Sequence, residues 1–167
     1  MVYRNIFLAI LFYYLALFQN SFLIHFSVFG ALPNLIVILL CLLAFFEPKR
    51  LRFGVLLAII AGLFQDLILG YFIGVSVASF LIIYYAIKYA KGQLSEHDQN
   101  FYVLYFGAIL SGAFIFNRLF IGVYDGSLFS FNILILLLEV VYNLIIGTIG
   151  FYFAKLIVGV KHESWKV

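Results

Sequence analysis

Three ionisable residues sit where hydrophobic sequence gives them no obvious partner: Asp66, Arg118 and Glu139. Asp66 lies in the stretch GVLLAIIAGLFQDLILGYFIG, Gly54 to Gly74, which is apolar apart from Gln65 and Asp66 itself. A charged side chain deep in hydrocarbon costs ~2.5–3.5 kcal/mol on insertion scales, so such a residue must face protein or water and find a partner. A proteolytic role for Asp66 would need two aspartates on facing helices and a Gly-x-Gly-Asp signature. Leu63-Phe64-Gln65 precedes Asp66 instead, and Asp125 falls in an expected loop. No Ser/His/Asp arrangement and no glycine-rich phosphate loop occurs. His25, His97 and His162 are scattered without metal-ligand spacing, and Cys41 is the single cysteine. The residues point to no enzyme and to no cofactor or metal.

The composition says what must position these residues. The chain has 167 residues, 66% hydrophobic and 10% charged, whereas a soluble domain carries about 25% charged residues. It is therefore expected to be an all-α integral membrane protein. A membrane span takes roughly 20 residues, so one transmembrane domain of six helices fills the chain. The expected spans are about 5–25, 33–46, 51–69, 73–89, 101–121 and 131–158. Pro33 suits a helix start, and Glu47-Pro48-Lys49-Arg50 closes the second span. The turn around Gly70 to Gly74 is short and uncharged, so spans three and four form a tight hairpin. Lys91 to Asn100 reads as a solvated loop, Asp125-Gly126 as a turn, and Gly147 and Gly150 as a place for a kink in the last span.

Lysine and arginine orient the bundle. With both termini in the cytoplasm, Arg4, Lys49, Arg50, Arg52, Lys88, Lys91, Lys155, Lys161 and Lys166 fall inside and Arg118 alone falls outside. The basic residues act as topology signals, the run Lys49 to Arg52 could touch anionic headgroups, and the net charge of +3 is no nucleic-acid signature. Tyr3, Tyr71, Tyr89, Tyr102, Tyr124, Tyr152 and Trp165 fit interfacial belts.

At ~1.5 Å of rise per residue, Asp66, Arg118 and Glu139 fall in the outer half of the membrane, together with Asn20, Asn34 and Asn117. The simplest arrangement is one buried polar cluster with Arg118 between Asp66 and Glu139, since buried charges survive best when paired. Protonation of one carboxyl would remove the excess negative charge. The cluster reads as a structural lock, or alternatively as part of a recognition surface or a water-filled outer cavity. Arg118 also lies close enough to the surface to snorkel. The third span carries small residues every fourth place, Gly54, Ala58 and Gly62, then Gly70 and Gly74. Such a face allows close helix approach, within the bundle or to a partner, while Gly70 and Gly74 also suit a tight turn.

Leu32-Pro33-Asn34-Leu35 at the start of the second span resembles the Pro-Asn-Leu segment of the bacterial rod shape-determining protein MreD family. Gly62, Gln65-Asp66, Gly70 and Gly74 resemble that family's Gly…Asp…Gly…Gly segment. Phe72 and Ile73 depart from it, since a proline often precedes the family's last glycine. The resemblance implies a non-enzymatic subunit of the cell-elongation machinery in the inner membrane. Its implied main partner is MreC, a single-span protein, with indirect links to the MreB cytoskeleton and to the synthases of side-wall peptidoglycan. It also implies a six-helix bundle similar to the substrate-binding subunits of energy-coupling-factor transporters. Gly62, Gly70 and Gly74 are then the candidates for contacting the partner helix, with Asp66, Arg118 and Glu139 fixing the bundle behind them. The alternative is a substrate-binding subunit of a vitamin-type transporter. Those subunits meet their energising partner through an Ala-x-x-x-Ala face on the first span. Here Ala9 is followed four residues on by Tyr13, and the next alanine is Ala16.

Overall fold

The computed structural model describes residues 2–27, 30–48, 53–70, 72–93, 102–126 and 132–158. The expectations for Lys49, Arg50, Arg52, Tyr71, the loop 94–100 and the tail from Lys161 with Trp165 lie outside the described residues, as do those for the side chains of Tyr3 and Arg4. The fold is all-α with six helices: α1 Val2–Ser21, continued by a 3-10 turn Leu23–Phe26, then α2 Leu35–Phe46, α3 Phe53–Leu69, α4 Val75–Gln93, α5 Tyr102–Asp125 and α6 Ile133–Val158. Two of them, at 102–125 and 133–156, are long and apolar enough to cross a membrane by length and composition. The apolar stretches Ile6–Ser21, Leu35–Phe46 and Phe53–Ile68 are shorter.

Local chemistry sets the helix ends. The Asn34 side chain accepts the Val37 amide at 3.0 Å and caps α2, satisfying one of the amides that a first turn leaves open. Asn132 does the same for α6 through the Leu134 amide, 3.0 Å. Gly126, at φ +73°, ends α5. Three helix ends lie about four residues from the sequence expectation, and for α1 this means that the α-helix stops at Ser21 and the 3-10 turn carries the chain on past residue 25. α4 runs through Gly92 to Gln93 and α5 through Gly122 to Asp125, because neither glycine takes the left-handed backbone that ends a helix. Lys91 is thus a helical residue, buried rather than solvated.

The shortest helix is the hub. α2 packs against each of the other five, which are arranged around it in the order α1, α3, α4, α5, α6. Ile36, Val37, Leu40, Cys41 and Ala44 of α2 are buried in a core shared with Phe12 and Ala16 of α1, Leu57, Ala58 and Ala61 of α3, Phe80 and Ile83 of α4, and Phe106 and Leu110 of α5. Phe45, Phe106 and Phe151 form an aromatic knot with ring centroids 5.0–5.7 Å apart. α3 and α4 form the closest pair. A Cβ on Gly62 would stand 2.5 Å from the Val77 Cα, and one on Gly54 would collide with the Tyr84 ring. Gly147 and Gly150 meet Leu110 of α5 and Leu42 of α2 inside one continuous helix. Outside this core, large apolar side chains are exposed along α1 (Phe7, Ile10, Tyr14), α5 (Leu104, Val123) and α6 (Leu137, Val141, Ile145, Ile149).

Candidate functional site

Asp66 takes its partners from the backbone of the next helix. Gly70 at φ +69° ends α3 and Gly74 at φ +107° leads into α4. Both occupy the left-handed region that disfavours a Cβ. The reversal carries the first amides of α4 back over Asp66. Its Oδ2 accepts the Gly74 N–H at 2.7 Å and its Oδ1 accepts the Ser76 N–H at 3.0 Å. A helix N-terminus offers unpaired amides and the positive end of the helix dipole. A carboxylate that is 1% exposed is therefore satisfied without an ion pair. The expected bridge from Arg118 to Asp66 is corrected here, because the amides of α4 occupy both carboxylate oxygens.

Among the described residues Arg118 pairs with Glu139 alone. Its Nε lies 3.5 Å from Glu139 Oε2, with the Arg118 side chain 47% exposed and that of Glu139 8% exposed. At that separation the contact is an ion pair without a good hydrogen bond, and among the described residues Glu139 Oε2 has no hydrogen-bond partner. Asn143, one turn along α6, donates to the Glu139 carbonyl at 2.7 Å and accepts the Asn34 amide through Oδ1 at 2.9 Å. This fixes the start of α2 to α6. Gln19 of α1 accepts the Leu35 amide at 2.9 Å and fixes the same turn from the other side.

The remaining expected members are dispersed. Asn117 accepts the Ser79 hydroxyl at 2.8 Å and ties α5 to α4. Asn20 donates to the Ala16 carbonyl of its own helix at 2.9 Å. The single polar cluster is thus replaced by three separate ties: Asp66 on α4, Ser79 with Asn117, and Asn34 with Asn143 and Glu139. The three glycines also divide. Gly62 packs on α4 of its own chain, so that face is not open to a partner, and Gly70 and Gly74 serve the turn.

A fourth tie was not anticipated. Glu47, just after α2, accepts the Tyr84 hydroxyl and the Gly54 amide (2.9 Å) and pairs with Lys88 at 2.9 Å. Lys91 donates to the Glu47 carbonyl at 2.9 Å, and Lys88 to the Pro48 carbonyl at 2.9 Å. Glu47 thereby joins the end of α2, the start of α3 and the last turns of α4. The available signal was spacing. Tyr84, Lys88 and Lys91 recur at i, i+4 and i+7 and share one helix face.

Two further features could receive something from outside. A cavity of about 290 Å³ lies beside the α3–α4 turn, lined by Gly70, Phe72, Val75, Ile121, Tyr124 and Asp125. The second is a seam. Among the described residues α1 and α6 do not meet. The half-buried residues of α2 are Leu35, Leu39, Leu42, Leu43 and Phe46, and its others are buried. At ~100° per residue these five fall within an arc of roughly 100°. Leu35, Leu39, Leu42 and Phe46 alternate steps of four and three, the spacing of a coiled-coil seam. No group of three metal-ligating side chains comes together among the described residues. Comparison with protein-family models, with curated proteins and with solved structures finds no match to this chain.

Proposed function

We propose that this chain is a non-enzymatic scaffold of the bacterial cytoplasmic membrane, of the MreD kind that its motifs resemble. It spans the membrane six times with both ends in the cytoplasm. It binds the transmembrane helix of a single-span MreC-like protein and, through it, helps couple the MreB cytoskeleton to peptidoglycan synthesis. The many large apolar side chains exposed along α1, α5 and α6 favour a lipid setting. Asp66, Asn34, Asn117, Asn143 and Glu47 bond to backbone or to other side chains, as parts of a framework, while Gln65 Oε1, Ser76 Oγ and Glu139 Oε2 are buried without a hydrogen-bond partner among the described residues.

The observation that carries this reading is the leucine seam of α2. Among the described residues the ring around α2 is open between α1 and α6, and the half-buried residues of α2 have the 4-3-4 spacing, with Leu42 and Phe46 flanked on one side by Gly150 and Phe151 of α6. A helix with small or apolar residues at the matching spacing would complete the shell by knobs-into-holes packing. This moves the expected partner surface from Gly62, which α4 covers, to Leu35, Leu39, Leu42 and Phe46.

Co-purification in detergent of the tagged chain with the MreC-like protein of the same genome tests the proposal. The wild type is expected to bring down the partner. Leu39→Trp, which fills the seam, is expected to lose it while remaining folded and membrane-inserted. Full partner yield from Leu39→Trp would overturn the seam as the site. A lone chain carrying a tightly bound small molecule would replace the scaffold by a transporter's substrate-binding subunit.

A further inference from the structure

The leucine seam of α2 has one polar donor at its outer end. Gln19 Oε1 accepts the Leu35 amide at 2.9 Å. An N–H can be met only by the oxygen of a side-chain amide, so this bond also identifies Nε2. Nε2 belongs to the same planar group and therefore stands beside Leu35, the first of the half-buried residues that continue as Leu39, Leu42 and Phe46. Among the described residues nothing bonds to it, and Gln19 is half-buried rather than enclosed. Its neighbour Asn20 differs, because the amide nitrogen there donates to Ala16 of its own helix at 2.9 Å. The face of α1 also fits. Tyr13 meets Phe64 of α3 with ring centroids 5.4 Å apart, and Gln19 stands ~120° around the helix from Tyr13, turned from α3 toward α2. On the opposite flank Asn143 of α6 holds the Asn34 amide at 2.9 Å. Acyl chains cannot satisfy a free N–H, whereas a polar side chain on a packed helix can. The start of α2 is also the positive end of its dipole, which favours an acceptor oxygen.

We propose that the helix docking on the α2 seam carries an amide or hydroxyl side chain one turn outside the position that meets Leu39, and that its oxygen accepts the Gln19 Nε2–H. This rests on the scaffold reading above, with α2 running inward from Leu35. The leucine spacing supplies packing and Gln19 supplies register, as a single polar contact does in an otherwise apolar helix seam. A partner helix shifted along the seam, or inverted, would leave Nε2 and its own polar residue facing hydrocarbon.

Disulfide cross-linking in membranes that carry both chains tests this. The tagged chain carries Leu39→Cys; its native Cys41 is 0% exposed and does not compete. Single cysteines are stepped along the transmembrane helix of the MreC-like protein of the same genome. Cross-links are expected on one face of that helix, with Asn, Gln, Ser or Thr one turn further out on the same face. Replacing that residue with leucine is expected to lower partner recovery about three- to tenfold, the scale of one interhelical hydrogen bond. In Gln19→Met, which has no donor, the same replacement is expected to cause no further loss. A cross-link to Leu39→Cys with only apolar residues one turn out overturns the polar contact and leaves the seam standing. So does full recovery of the leucine-substituted partner, or an equal further loss in Gln19→Met. Recovery without any cross-link to Leu39→Cys refutes the seam itself, and no recovery refutes the scaffold reading. If Gln19→Met does not fold, the replacement in the partner decides alone, because it leaves this chain untouched.

Discussion

Replacing Asp66 with alanine removes both acceptors of the α4 N-terminus at once. The Gly74 and Ser76 amides then lose their partners at 2.7 and 3.0 Å, and the Ser76 amide is left in a residue that is 0% exposed. Hydrogen bonds to a charged group contribute about 1.5–3 kcal/mol each, and a charge at a helix N-terminus adds ~0.3–1 kcal/mol. Relaxation of the turn offsets part of that sum, so we expect a loss of about 3–5 kcal/mol. For a chain of this length each kcal/mol moves the melting temperature by ~2–4 °C, giving a fall of roughly 6–20 °C. Thermal loss of the monodisperse peak of the detergent-purified chain measures it. Asp66→Asn keeps one acceptor and should lie between. The decisive comparison is a double-mutant cycle with Arg118→Gln. Asp66 and Arg118 share no partner, so their effects should add within ~0.5 kcal/mol. A coupling energy above about 1 kcal/mol would show a direct ion pair and refute backbone capping as the role of Asp66. A fall of under ~1 kcal/mol for Asp66→Ala would refute it as well.

The glycines of α3 and its turn should separate by mechanism. Gly62→Ala places a Cβ 2.5 Å from the Val77 Cα, and backbone cannot swing aside as a side chain does. It should destabilise the isolated chain by about 1–3 kcal/mol in the same assay. Gly70→Ala meets nothing within 4 Å and should lose only the ~1–2 kcal/mol of left-handed strain; the reverse order would refute the packing described for α3 on α4. Glu47→Gln keeps a single acceptor oxygen where Gly54 and Tyr84 donate to different oxygens of Glu47, and it removes the Lys88 pair, whose side chains are 15% and 10% exposed. We expect it to lose about 1–3 kcal/mol, and Glu47→Ala more. An unchanged melting temperature for Glu47→Ala would show that this tie contributes nothing to the bundle.

The helices were legible because their signals are local. Six apolar runs, Pro33 and Pro48 at the ends of the second run, and Gly70, Gly74 and Gly126 at turns mark them without reference to anything distant in the chain. The tight α3–α4 hairpin followed from its short uncharged connection for the same reason. The small-residue face of α3 was also visible, because every fourth residue returns to one side of a helix. That α4, and not a partner, fills it was decided in three dimensions. Periodicity tells which face can approach closely and is silent on what approaches. Asp66 shows the same limit at the level of one side chain. Its burial was expected from the surrounding apolar sequence, but a carboxylate is satisfied equally by a guanidinium or by helix amides, and only the path of the Gly70–Gly74 turn chose the amides. Glu47 finds Tyr84, Lys88 and Lys91 on another helix, and α1 and α6 stop short of each other around α2. These are outcomes of how six cylinders pack, which no single stretch of the chain encodes.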